Sequence, residues 1–351
     1  MGELGLLSEY SIVENPSEKL WNSFLNMFPE GNFEQCYEYG EIAKMAFPKT
    51  VPVRLAIARG GELAGIVQGN YSRYFGFGME LEVMRGPVIA ERNEAGLQLA
   101  ENLLEALEDY GKKNRVIHAR IVVPETWGLE GVFHKLGYVL EGKLNEYAVN
   151  LEGGVEKVWR SIDHNKRRNV KRALNEGVEV IRSHDHDDLV AFYSMLKAAQ
   201  DRAGFSSYPL SWFEAVWDKY KPEELSNVFL ARWNGKSVSG VFTVVHEKTV
   251  FALAAGSLSE GWKVRPNDIM HWKAMEWASQ NGYSKYHMGL VSEPPPVEGS
   301  PAWGIWRWKR EWRGKLGSFQ IFRKTFLPRY QLVSRAKRIA ERGYTFFKKL
   351  R

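Results

Sequence analysis

The chain has 351 residues, one cysteine and a formal charge of +6, from 48 Lys and Arg against 42 Asp and Glu. Its 44% apolar and 26% charged residues exclude wholesale disorder, and its length suits two domains with cores of their own. Cys36 alone excludes an intramolecular disulfide, no apolar run approaches the roughly 18 residues of a membrane span, and residues 1–16 lack the pattern of a signal peptide. The expectation is a soluble cytosolic protein.

In chain order, helical patterns cover Glu18–Met27 and Glu34–Ala46. Residues 53–71 read as a strand, a Gly60-Gly61 turn and a second strand. An apolar stretch at Met84–Ala90 precedes a helix over Glu94–Lys113, with Leu99, Ala100, Leu103, Leu104 and Leu107 on its apolar stripe. Val116–Val123 is the next strand. Helical Leu129–Leu136, a Gly137-Tyr138 turn and a strand through Val149 complete the first half.

Lys157–Arg172 carries seven Lys and Arg against Asp163, and Asp163-His164 stands where a helix N-cap belongs. His184-Asp185-His186-Asp187-Asp188 has the look of a metal box, but Ser183 or Asp185 capping a helix over Asp187–Ala203 accounts for it without a metal. Leu210–Tyr220 is a further helix. Residues 228–245 repeat the plan of 53–71, with Ala231-Arg232 and Gly240 matching Ala58-Arg59 and Gly65, and Asn234-Gly235 is a strong hairpin turn. A strand at Val250–Gly256, a helix near Asn267–Asn281 and a strand at Tyr283–Leu290 follow.

The plan occurs twice, so the expected fold is mixed α/β, with two tandem copies of one domain, each a mixed sheet flanked by helices. The expected segments are 1–153, a basic linker or helix at 154–182, a second domain at 183–328 and a basic amphipathic C-terminal helix at 329–351. From Trp303 onward there are fifteen Lys and Arg against two Glu, a local +13, so residues 1–302 sum to −7. Basic segments on an acidic body imply localised anion sites rather than general polyanion binding.

The order helix, hairpin, strand, helix, strand, helix, strand is that of the GNAT acyltransferase fold, and Phe133-His-Lys-Leu-Gly-Tyr138 is similar to a turn near the end of such domains. Asn32-Phe-Glu-Gln-Cys-Tyr-Glu-Tyr-Gly40, Asn165-Lys-Arg-Arg-Asn-Val-Lys-Arg-Ala173, Asp201-Arg-Ala-Gly-Phe205 and Trp306-Arg-Trp-Lys-Arg-Glu-Trp312 together resemble the Fem family of peptidoglycan-bridge aminoacyltransferases, over about residues 15–328. The chain resembles its short form, which lacks a coiled-coil arm. The resemblance implies transfer of an amino acid from aminoacyl-tRNA to an amine of a UDP- or lipid-linked muropeptide, with no metal and no cofactor. It also implies that Lys44 and Arg202 hold the precursor's diphosphate and that Lys309 assists the transfer.

An amine attacking an ester passes through a tetrahedral oxyanion, which needs alignment and fixed positive charge in a dry cleft. Lys309, among Trp303, Trp306, Trp308 and Trp312, fits that need; an exposed position on a strand or helix end is the competing reading. Tyr208 suits either nucleotide contact or core packing. Lys166, Arg167, Arg168, Lys171 and Arg172 are either tRNA-phosphate contacts or a solvated helix face. Glu293, Glu311 and Asp268 are general-base candidates only through their position near the second-domain cleft.

Acetyl-CoA enzymes of this fold use an Arg/Gln-x-x-Gly-x-Gly/Ala turn for the pyrophosphate, and the corresponding places read Arg85-Gly-Pro-Val-Ile and Arg265-Pro-Asn-Asp-Ile. CoA-dependent N-acyl transfer is therefore the runner-up, and a noncatalytic RNA- or membrane-binding role is a second alternative. No P-loop and no dinucleotide fingerprint occurs, and DNA is not an expected partner. Arg329–Arg351 carries eight Lys and Arg against one Glu at near-helical apolar spacing, which suits an anionic membrane surface or packing on the second domain.

Overall fold

Across the described residues, 10–28, 33–74, 76–204, 207–330 and 332, the computed structural model resolves the apolar patterns into thirteen strands and ten α-helices. They fall into two units, residues 1–142 with 319–351, and residues 143–318.

The first unit contains β1 (Tyr10–Glu14), α1 (Glu18–Leu25), α2 (Tyr37–Ala46), β2 (Thr50–Arg59), β3 (Glu62–Tyr74), β4 (Phe77–Met84), β5 (Val88–Ile89), α3 (Glu94–Lys113), β6 (Val116–Pro124) and α4 (Glu130–Lys135). Ser17 and Asn93 start α1 and α3 by accepting hydrogen bonds from the Leu20 and Gly96 N–H groups. The strand expected at Met84–Ala90 is chiefly β4, seven residues earlier. There Met79, Leu81 and Val83 turn inward while Glu80 and Glu82 turn outward, a period-two alternation that the charged residues disguised.

β7 (Val139–Asn150) leaves the first unit, and its residues 143–150 open the second. There follow α5 (Val155–Ser161), α6 (His164–Asn175), β8 (Glu179–Ser183), α7 (His186–Ala203), α8 (Leu210–Tyr220), β9 (Ser226–Trp233), β10 (Lys236–His246), β11 (Thr249–Ser257), α9 (Pro266–Gln280), β12 (Lys285–Glu293) and α10 (Pro301–Arg310). Asp163 caps α6, and Asp185 caps α7 by accepting from the Asp187 N–H at 3.1 Å, so the His-Asp run is a helix start. Asn234 and Gly235 both take positive φ in the β9–β10 turn. The segment expected to be a basic linker or helix supplies the helices α5 and α6 and most of the edge strand β8, which pairs antiparallel with β9.

β13 (Lys315–Thr325) runs from the second unit back into the first, where Phe319–Thr325 pairs antiparallel with Pro124–His118 of β6. The first unit's strands are ordered β1-β2-β3-β4-β6-β13, with β5 on β3; the second unit's are β7-β12-β11-β10-β9-β8. The last strand in the first unit's order, β13, thus comes from the chain that follows the second repeat, and the first in the second unit's order, β7, from the chain that follows the first repeat. A division at residues 153 and 328 treats each half as one continuous stretch, whereas the units divide at Gly142 and Ser318. Beyond Leu332 the expected C-terminal helix lies outside the described residues.

Candidate active site

The two units differ at their central parallel pair. In the first unit, β4 and β6 stay paired from Gly78↔Val116 to Met84↔Val122. In the second, β11 and β12 pair only at Thr249↔Lys285, Val250↔Tyr286 and Phe251↔His287, although β11 continues to Ser257 and β12 to Glu293. Past that point β12 follows β7 instead, after a register shift between His287 and Leu290. The result is a wedge whose walls are unpaired strand edges. Leu253, Ala254 and Ala255 on one wall and Gly289 and Leu290 on the other are half-buried. The facing edges of β11 and β12 make no ladder hydrogen bonds to each other there. Gly256 lets β11 approach α7, since a Cβ there would meet the Leu196 backbone at 2.3 Å.

Lys309 stands at the neck of this wedge. Ser300 caps α10 by accepting from the Trp303 N–H, and Pro301 fits its first turn. Near the other end, Trp308 donates its indole N–H to Asp268 at 2.7 Å, and Trp312 is fully buried. Held by these neighbours, the half-buried Lys309 donates to the Leu290 carbonyl at 3.2 Å. A Cβ on Gly289, whose φ is +79°, would lie 3.4 Å from the Lys309 amine. Burial lowers the Lys309 pKa from 10.5 to about 8, so the amine carries its charge at neutral pH and titrates within reach of it.

The support beneath Lys309 is ionic. Lys166, in α6, is 1% exposed and donates to Asp268 at 2.8 Å, with Glu311 at 3.2 Å. Asn169 donates to the other Asp268 oxygen at 2.9 Å, so that carboxylate receives three donors from α6 and α10. The Lys166 amine also lies over the Trp308 and Trp312 rings, at 4.7 and 5.6 Å. His271 is buried on the next turn of α9, its Nδ1 2.9 Å from the Tyr286 hydroxyl. Burial, with the charges of Lys166 and Lys309, holds its pKa at about 3, so it is neutral. Closer to the wedge, His287 Nε2 meets Glu146 at 2.5 Å while its Nδ1 accepts from the Gly289 N–H.

Of the residues singled out in the sequence, Lys309 and Arg202 both border the wedge. Arg202, exposed at the end of α7, donates to the carbonyl of Ser257, the last residue of β11, at 3.1 Å and lies over Trp262. Tyr208 is exposed rather than in the core, with its ring stacked on Trp212 at 4.2 Å. Lys44 is exposed in the last turn of α2 and belongs to the first unit.

The basic run is not one surface. Lys166 is buried in an ion pair and presents no charge to a polyanion, which corrects its assignment to tRNA contact. Arg167 is half-buried and donates to the carbonyls of Trp159, Arg160 and Ile162 at the end of α5. Arg168, Lys171 and Arg172 are exposed, and Arg172 lies 3.9 Å from Glu176. Helical spacing carried the signal: Lys166, Val170 and Ala173 recur at i, i+4 and i+7, one inward stripe. The general-base candidates are also committed. Asp268 and Glu311 hold Lys166, and Glu293 accepts from Asn145. Sequence reasoning missed His271, His287 and Gly289, although an isolated glycine in a strand pattern signals a bulge.

Residues 160–310 match the acetyltransferase (GNAT) domain family. Over 90% of its length the chain is 21% identical to the lipid II:glycine glycyltransferase of Staphylococcus aureus, covering 93% of that protein. Its fold is similar to the crystal structure of FemX, with a TM-score of 0.76 at 19% identity over 93% of this chain and all of that one. A tandem GNAT protein from the clavulanic acid biosynthesis pathway superposes with a TM-score of 0.62 at 8% identity, covering 91% of this chain and 99% of that one. The tandem GNAT fold and the Fem-like resemblance read from the sequence both hold.

Proposed function

We propose that this chain, a Fem-like tandem GNAT acyltransferase, transfers an amino acid from aminoacyl-tRNA to an amine on the peptide of a UDP- or lipid-linked cell-wall precursor. The observation that carries the reading is the wedge, open in the second unit and zipped shut in the first, with a pKa-lowered lysine at its neck. The aminoacyl ester lies along the unpaired edges of β11 and β12, where backbone groups align it. The acceptor amine forms the C–N bond, the ester C–O bond breaks, and the ribose oxygen departs with the amine's proton. Protonated Lys309 stabilises the negative charge that develops on the oxyanion and the leaving oxygen.

Arg202 binds the acceptor's diphosphate through its planar fork. Tyr208 contacts the acceptor beside Arg202. Arg168, Lys171 and Arg172 contact tRNA phosphates. The relatives' lipid II chemistry supports a precursor of that class, and peripheral contact with an anionic membrane is compatible with it. No described helix is long and apolar enough to cross a membrane.

A CoA donor fits less well. At the start of α9, Pro266 removes one N–H and Asp268 already places a carboxylate in the first turn, where a pyrophosphate would otherwise sit. The test is incubation with labelled aminoacyl-tRNAs and muropeptide precursors, with parallel arms containing RNase or acetyl-CoA. RNase-sensitive label on the precursor is expected. Label from acetyl-CoA alone, or none from any tRNA, overturns the reading.

A further inference from the structure

Four connections meet at one end of the first unit's sheet. Thr50 at the start of β2 opposes Ser72 near the end of β3, and Tyr74 opposes Phe77 across the next turn. Gly78 of β4 lies beside Val116 of β6, and Thr325, the last residue of β13, opposes His118. The α2–β2 loop, the β3–β4 turn, the α3–β6 turn and the segment after β13 therefore share that end.

Each connection brings an exposed cation to an aromatic side chain. Lys49 lies 4.7 Å from the Tyr74 ring, Arg115 5.9 Å from Phe77 and Arg329 4.9 Å from Tyr330, while the exposed Arg73 donates to the hydroxyl of the buried Tyr71 at 3.0 Å. Phe77 and Tyr330 pack together at 4.5 Å, which joins the pairs into one patch. A depression of about 510 Å³ opens among Lys49, Val51, Arg73 and Tyr74. The acids in the last turns of α3 are already engaged, since Glu108 and Asp109 lie 3.5 and 3.4 Å from Lys112. At this end the chain also passes into residues 331–351, whose sequence carries seven Lys and Arg against Glu341.

We propose that this end of the first unit is a docking surface for an anionic lipid bilayer. Aromatic rings interleaved with Lys and Arg are the composition that settles at headgroup level, and each cation near an anionic surface adds roughly 1 kcal/mol of attraction. The depression takes a phosphate-bearing headgroup between Lys49 and Arg73. Single-stranded nucleic acid fits less well, because it needs open ring faces for base stacking and these rings have cations laid over them. The inference stands without the transferase reading, and the test below uses no transfer substrate.

The full-length chain is mixed with vesicles of phosphatidylcholine, with or without phosphatidylglycerol, and the bound fraction is read by sedimentation. Binding is expected only with phosphatidylglycerol, and it should fall as salt rises. The Lys49→Glu/Arg73→Glu/Arg115→Glu variant should bind at least about a hundredfold more weakly, because three attractions are lost and three repulsions are added. A full-length variant with Arg335, Lys337, Arg338 and Arg342 changed to Gln should retain measurable binding. Should the charge-reversal variant fail to fold, hydrogen exchange of the wild-type chain replaces it, and vesicles should protect residues 47–50, 73–78 and 114–116. Equal binding to neutral vesicles, unchanged binding by the charge-reversal variant or no protection at those residues overturns the proposal. So does an effect of that variant on tRNA binding or self-association alone.

Discussion

Lys309→Met is expected to stabilise the protein at neutral pH while abolishing transfer. The Lys309 pKa falls from 10.5 to about 8 through burial, and that difference corresponds to at most about 3 kcal/mol of charge desolvation, because the half-buried side chain keeps some water contact. The sign follows from linkage. At pH 7 the lysine is protonated in both folded and unfolded chains, and the folded one bears the full penalty. Between about pH 8 and 10.5 the folded chain sheds its proton first, and the penalty fades; above that range both forms are neutral. Methionine removes the penalty and loses the hydrogen bond to the Leu290 carbonyl, which offsets about 1 kcal/mol. A gain of roughly 1–2 kcal/mol remains at pH 7, to be read as a shift of the urea midpoint, and it should vanish by pH 10.5. In wild type, transfer should decline as pH rises through about 8, because the protonated amine does the work. A variant that is destabilised at pH 7, or a stability difference that ignores pH, refutes the reasoning; so does a transfer rate equal to wild type.

The ion pair beneath α10 makes the opposite prediction: Asp268→Ala leaves Lys166 buried without its main counter-charge and should cost about 3–5 kcal/mol in urea unfolding. Transfer should fall with it, since α10 loses its anchor through Trp308. At the exposed face of α6, Arg168→Glu/Lys171→Glu should leave stability unchanged, weaken tRNA retention on a filter and lower the salt dependence of binding by about two counterions' worth. Arg167→Gln, by contrast, should destabilise the protein while leaving that salt dependence alone, because its guanidinium serves the α5 carbonyls.

Much of the fold was legible because local physics wrote it. The Gly60-Gly61 and Asn234-Gly235 turns need positive φ, and both appear where expected. Leu99, Leu103 and Leu107 mark the buried face of α3, and Leu210–Tyr220 forms the expected helix. The site was legible in part. Trp306–Trp312 pointed to Lys309 through its surroundings, but the cationic run of α6 was read as a string rather than wound on a helix. Winding it separates the inward Lys166 from the outward Arg168 and Lys171.

By itself, the sequence determined the elements, their twofold repetition and the Fem-like resemblance, because turn chemistry, caps and periodicity act over a few residues. The tertiary structure alone decided three things that depend on distant partners. It exchanged strands between the repeats, so that β13 completes the first unit and β7 opens the second. It parted β11 from β12 beyond Phe251 while leaving β4 and β6 paired. It also joined Lys166 to Asp268, 102 positions along the chain, beneath the helix that carries Lys309. Pairing of strand edges and compensation of a buried charge are properties of neighbours in space, and no local pattern encodes them.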